Sequence, residues 1–272
     1  MNDREERPAA AGNGPLLEAR GIELSYGRVQ ALRGADFAVA PGEVVALVGD
    51  NGAGKSTLVK VLSGTLQPDN GEIRFDGSPV TIRSPHEARD LGIETVYQDL
   101  AVAPDLDPAA NLFLGREETL GGPLGALGFL DNRGMRRKAD EAFGSLGVGL
   151  QDTSVSVAYL SGGQRQGVAV SRAVTWASRV IFMDEPTAAL GVVQSRNVLD
   201  LIRRVSSSGI AVVLISHNMP EVFEVADRIE VLRLGERVAR LGASETSMEE
   251  VVAAMTGALE QDQERGEEGR DG

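Results

Sequence analysis

The chain has 272 residues, 42% hydrophobic and 25% charged: enough apolar material for a packed core, too much for a disordered chain or a fibrous rod. It has no cysteine, which excludes disulfide scaffolds, thiolate metal sites and thiol nucleophiles. Lysine plus arginine number 27 against 40 acidic residues, a formal charge of −13, and this sign argues against nucleic acid as a partner.

In chain order, residues 1–14 are polar or small, with no apolar stretch of the signal-peptide kind, and are expected to form a disordered tail. A buried-type strand is predicted over Val44–Val48, followed by a glycine-rich turn and a helix after Gly54. A second strand is predicted at Ile93–Tyr97. Residues 100–160 lack a strong strand, and a helix near 131–146 places Met135, Ala139, Ala142, Phe143 and Leu146 on one face. Further helices are predicted after Ser161, Gly191 and Met219, and further strands at Val180–Met183, Ala211–Ile215 and Ile229–Leu232. Residues 260–272 are charged and read as a second, acidic disordered tail. The pattern is that of an α/β fold with a largely parallel sheet, strands covered on both faces, and a helical subdomain inserted at about 100–175 in a single unit spanning 15–259. The longest clean apolar run, Ile210–Ile215, falls far short of the about 20 residues of a membrane span, so a cytoplasmic chain is expected.

Three segments carry chemistry. Gly49-Asp50-Asn51-Gly52-Ala53-Gly54-Lys55-Ser56-Thr57 matches G-x-x-x-x-G-K-[ST] between a strand and an apolar-periodic helix. Its glycines let backbone N–H groups converge on phosphate oxygens, and the new helix adds its positive end. Lys55, one of three lysines with 60 and 138, supplies charge for the β- and γ-phosphates, and the Ser56 hydroxyl suits Mg²⁺. The strand VIFM ends in Asp184 and Glu185: Asp184 is placed to hold Mg²⁺ through water, and Glu185 to act as general base or polariser on the attacking water. Leu160-Ser161-Gly162-Gly163-Gln164 opens a helix with Ser161 as N-cap.

These segments, with Gln98, the DEP at 184–186 and His217 in matching order, resemble the nucleotide-binding subunit of an ATP-binding cassette (ABC) transporter over roughly residues 16–257. The resemblance implies an α/β P-loop NTPase core of the ABC ATPase type, with an N-terminal antiparallel β subdomain and an inserted helical subdomain. It further implies an ATP hydrolase using ATP and Mg²⁺, in which Tyr26 stacks on adenine and Gln98 lies near Mg²⁺ and the attacking water. His217 would contact the γ-phosphate. His86, the other histidine, lies in SPHEA and reads as a surface loop. Ser161, Gly162, Gly163 and Gln164 would meet the ATP held by a second cassette, so two sites form only in a head-to-tail dimer. The implied partners are that second cassette, an integral membrane permease and, indirectly, a periplasmic or extracellular sugar-binding protein. The implied location is the inner face of the cell membrane.

TVYQDLAVAPDLDPAANLFLGRE, LSGGQRQGVAVSRAV and DEPTAALGVVQ look most like the single-cassette monosaccharide importers. Other transporters, a soluble ABC assembly and a low-turnover regulatory subunit are the alternatives. Asn111, Leu112, Phe113 and Leu114 either line a groove for the permease or pack the helical subdomain. Arg133, Arg136, Arg137 and Lys138 read as a solvated helix face, with anionic lipid or the membrane partner as the alternative. One departure from the family is Gly191, after Ala188, Ala189 and Leu190, where an Asp usually closes the loop and ties the two sites together; looser communication between sites is the expectation.

Overall fold

A computed structural model describes residues 14–97, 102–150, 152–188 and 190–258. The expected tails lie almost wholly outside these residues, as does Gln98. The chain opens with an antiparallel pair, β1 (Leu17–Tyr26) and β2 (Val29–Val39), then enters the core through β3 (Val44–Val48) and α1 (Lys55–Leu62). It returns through β4 (Asn70–Phe75) and β5 (Ser78–Val80), giving a four-stranded antiparallel sheet in the order β2-β1-β4-β5. The short helix α2 (Pro85–Asp90) leads into β6 (Ile93–Val96). His86 therefore sits in a helix capped by Ser84 rather than in a loop; its side chain is exposed, beside Asp90 at 3.1 Å.

Next come α3 (Pro108–Phe113), α4 (Pro123–Ala126), α5 (Asn132–Ser145), one 3₁₀ turn (Val157–Tyr159) and α6 (Gly162–Trp176). Ala109, Leu112, Phe113, Met135, Ala139, Phe143 and Val168 form a separate apolar cluster here, with Ala142 packed on its margin. Asn111 is fully buried and closes on its own loop: its amide accepts from the Ala103 N–H at 2.7 Å and donates to Ala103, Leu106 and Asp107 carbonyls. Asn111, Leu112 and Phe113 are thus packing residues, and only Leu114 of the four is exposed. Arg136 pairs with Asp107 at 2.8 Å, Lys138 with Glu118 at 2.6 Å and Arg137 loosely with Glu141, as on a solvated face.

The chain then completes the main sheet with β7 (Val180–Asp184), α7 (Val192–Ser207), β8 (Ala211–Ile215), α8 (Met219–Val225), β9 (Arg228–Arg233), β10 (Glu236–Gly242) and α9 (Met248–Thr256). Its order is β10-β9-β3-β8-β7-β6, parallel except for the edge strand β10. All residues of β3 and β8 are buried, because one face meets the antiparallel sheet and α1 while the other meets α6, α7, α8 and α9. In between, the fully buried Glu230 carboxylate pairs with Arg228, Arg237 and Arg240, while Arg228 donates to the Ala38 carbonyl and Arg237 reaches Asp36 on β2. This ionic network fastens the antiparallel sheet to the edge of the parallel one.

Phe182, fully buried in β7, fills the layer between the two sheets. Phe182→Ala leaves a cavity that a sheet cannot close, and is expected to cost about 3–5 kcal/mol. The midpoint of urea unfolding should fall with its slope unchanged.

Candidate functional site

The site is built at the carboxyl ends of β3, β7 and β8. After β3 the backbone turns so tightly that a Cβ on Gly49 would lie 2.2 Å from the Leu232 carbonyl oxygen. At Gly54 (φ 104°) a Cβ would meet the Ala31 carbonyl and Leu32 at 2.9 Å. Only glycine fits either place. Gly235, in the β9–β10 turn, donates to the Ala53 carbonyl at 3.0 Å and accepts from Arg33 at 2.8 Å, so the loop is pinned from both sheets. Helix α1 begins at once with Gly54 as N-cap and no side-chain cap. Its first-turn N–H groups are left for an anion.

Lys55 Nζ reaches back across the loop to the carbonyls of Gly49 (2.7 Å) and Asp50 (3.0 Å). Burial pushes the Lys55 pKa down, and the charges of Glu185, Asp184 and Asp50 oppose this. Ser56 Oγ faces Asp184 Oδ2 at 3.4 Å, which joins the glycine-rich loop to the end of β7. Among the described residues no group of three or more His, Asp or Glu could hold a metal ion alone. The hydroxyl–carboxylate pair of Ser56 and Asp184 suits a Mg²⁺ that takes its remaining oxygens from phosphate and water.

Asp184 has its pKa raised, first by burial and then by the neighbouring charge of Glu185, against the Ser56 hydrogen bond and Lys55. A carboxyl raised in this way stabilises the fold fully below its unfolded pKa of about 3.9, and that contribution is lost as the pH rises through the folded value. At neutral pH the ionised group therefore costs stability. Asp184→Asn is expected to raise Tm at pH 7.5 while it lowers hydrolysis, and the gain should vanish in acid, as differential scanning fluorimetry over pH would read.

Glu185 follows β7 with φ 51°, a left-handed backbone that costs about 1–3 kcal/mol for a residue of this kind. Its N–H is held by the Ile215 carbonyl at 2.9 Å, and its carboxylate meets His217 Nδ1 at 2.7 Å. The two residues, given separate roles from the sequence, are thus in contact: Glu185 is largely buried, and the imidazole is largely exposed beyond β8. Thr187 Oγ1 donates to Glu221 Oε2 at 2.5 Å, fastening the loop after Glu185 to α8. Nothing in the sequence singled out Glu221, because its partner lies 34 positions away.

Tyr26 ends β1 with half its surface exposed, on the hairpin whose return strand carries Ala31 and Leu32 against Gly54. Ser161 and Gln164 form a reciprocal capping box at the start of α6, and Gln164 also donates to the Gly149 carbonyl at 3.3 Å. Ser161 and Gly162 are exposed. Among the described residues no hydrogen bond joins residues 161–164 to residues 49–57. Gly191 is the N-cap of α7 with no side-chain hydrogen bond.

Residues 32–188 match the ABC transporter family. Over 248 residues the chain is 53% identical to the fructose import ATP-binding protein of Rhizobium meliloti, covering 90% of this chain and 95% of that one. It is 47% identical to the xylose/arabinose import ATP-binding protein of Sulfolobus acidocaldarius over 89% of this chain and 94% of the relative. Its fold is similar to the crystal structure of an ABC transporter cassette in its ADP conformation, with a TM-score of 0.73, 26% identity and coverage of 90% and 96%. No helix among the described residues is long and apolar enough to cross a membrane. Fold, pinned glycine-rich loop and sequence matches agree: the chain belongs to the ABC transporter family, as one of its ATP-binding cassettes.

Proposed function

We propose that the chain is the ATP hydrolase that powers import of a small sugar through a separate membrane permease, by closing and reopening as a head-to-tail dimer. The observation that carries this reading is the placement of Lys55, Ser56, Asp184, Glu185 and His217 at the carboxyl ends of β3, β7 and β8, where they would serve phosphate, metal and water. Residues 49–57 would cradle the phosphates and Tyr26 would lie against the base. Ser56 and Asp184 would hold Mg²⁺, with Gln98 as a further ligand on sequence grounds alone; once bound, the ion screens the phosphate charge. Glu185 takes the proton of the attacking water, and His217 orients that carboxylate and reaches toward the γ-phosphate. Ser161 and Gly162 face solvent and would meet ATP held by a second cassette, an identical copy in this reading. The helical cluster around α3, α5 and α6 serves as the subdomain that meets the permease at the inner membrane face, with a sugar-binding protein acting from outside.

The relatives' sugars are fructose, xylose, arabinose and ribose. The test is uptake by vesicles carrying the permease that co-purifies with this chain, with ATP inside and each sugar outside. ATP-dependent uptake of one of them is the expected result. Hydrolysis coupled to export, or to no sugar movement, would contradict the reading.

Gly191 supports looser communication between the two sites, since it offers no side chain to reach across. Its backbone (φ −73°, ψ 164°) suits any N-cap residue, and a new Cβ meets only the flexible Gln194 amide. Gly191→Asp is expected to fold normally and to raise the Hill coefficient of ATP hydrolysis; an unchanged coefficient would count against this account.

A further inference from the structure

Trp176, the chain's single tryptophan, ends α6. Its indole N–H donates to the Leu112 carbonyl at 2.7 Å, and its ring meets Phe113 edge-on at 5.6 Å. The Arg116 guanidinium lies 4.8 Å over the same ring and hydrogen-bonds Glu94 on β6. Glu94 is mostly buried, and Arg172, one turn before Trp176 on α6, bears on it as well. Arg116 is therefore enclosed between an aromatic face and a carboxylate, a geometry that suits a planar guanidinium and not an ammonium. Past Glu94, the next residue after β6, Tyr97, shares hydrogen bonds with Thr65 (2.9 Å) and Ser63 (3.2 Å) just beyond α1. The strand that receives the clamp is thus itself fixed to the helix that begins at Lys55.

Helix α6 is fastened to the core at this C-terminal end, while its N-terminal end carries Ser161–Gln164. At 1.5 Å per residue, Ser161 stands roughly 16 Å from Arg172, so a tilt of roughly 10° at the clamp moves it by roughly 3 Å. Hydrogen bonding tolerates only a few tenths of an ångström. We propose that Arg116, held between Glu94 and Trp176, is a positioning residue that sets where the Ser161 end of α6 is presented to the ATP of a second copy. Among the described residues no hydrogen bond joins Arg116 or Trp176 to residues 49–57, 184 or 185. The inference rests on the head-to-tail reading above.

The test uses Arg116→Ala and Arg116→Lys in the full chain, with intact Arg116 as control. Arg116→Ala is expected to leave ATP affinity of the isolated chain and the KM for ATP unchanged, while kcat and ATP-driven dimerisation in a Glu185→Gln background fall by about 10²-fold. Arg116→Lys, which keeps the charge and loses the stack, should recover only part. Because the chain lacks cysteine, spin labels at Tyr159→Cys and Glu249→Cys report the position of the turn that leads into α6 against α9. Their distance distribution should broaden in Arg116→Ala. Dimerisation and kcat equal to the control's in Arg116→Ala would overturn the proposal. A control chain with neither hydrolysis nor dimerisation would instead overturn the head-to-tail reading, and an unbroadened label distance would then overturn the clamp separately.

Discussion

Glu185→Gln is expected to lower steady-state ATP hydrolysis by about 10²–10⁴-fold, the range for loss of a general base, with ATP affinity retained. Glu185 is turned off the end of β7 by a left-handed backbone, and its N–H is tied to Ile215 on the neighbouring strand. Its carboxylate is held by His217 at 2.7 Å and not by Lys55 or Ser56, which are committed elsewhere in the cleft. An amide there keeps the size and the hydrogen bond but cannot take a proton. With the chemical step blocked and binding intact, ATP-bound dimer should accumulate, visible by gel filtration or ultracentrifugation with MgATP. Unimpaired turnover would remove Glu185 from the mechanism.

Lys55→Ala should act one step earlier, on binding. Lys55 Nζ lies over the loop with donors to Gly49 and Asp50, and it faces the charges of Asp184, Glu185 and Asp50. Removing it would take this ammonium from the loop and leave Asp184, Glu185 and Asp50 to repel a bound phosphate. Two charge-assisted hydrogen bonds at about 1.5–3 kcal/mol each correspond to roughly 10²–10⁴ in affinity. Isothermal titration with ATP should show that loss while Tm stays close to that of the unsubstituted chain. Affinity within the noise of the parent value would contradict the role given to Lys55.

Some of this architecture is legible in one dimension. β3 and β8 have the predicted bounds because central strands of a parallel sheet are apolar at every position, and no other element imitates so short an unbroken run. The glycine-rich loop and the Ser161 cap are equally local: each needs particular residues within a few positions of one another. Asn111 shows where such reading fails. A polar residue among apolar neighbours looks like a groove wall, yet it serves the carbonyls of its own loop, and only the loop's path makes that visible. Glu230 is a harder case. A carboxylate inside IEVLRL gives no hint that it is fully buried, because Arg237 and Arg240 reach it from the next strand. The Arg116 clamp is of the same kind, joining positions 94, 116 and 176 through tertiary packing alone.

In the proposed head-to-tail dimer each ATP site needs both chains. The most direct measurement is Mg²⁺-dependent ATP hydrolysis by the purified chain over a wide range of protein concentration, with Glu185→Gln as control. The rate should rise faster than linearly with protein and disappear in the control. A rate strictly proportional to protein, or one that survives in Glu185→Gln, would contradict it.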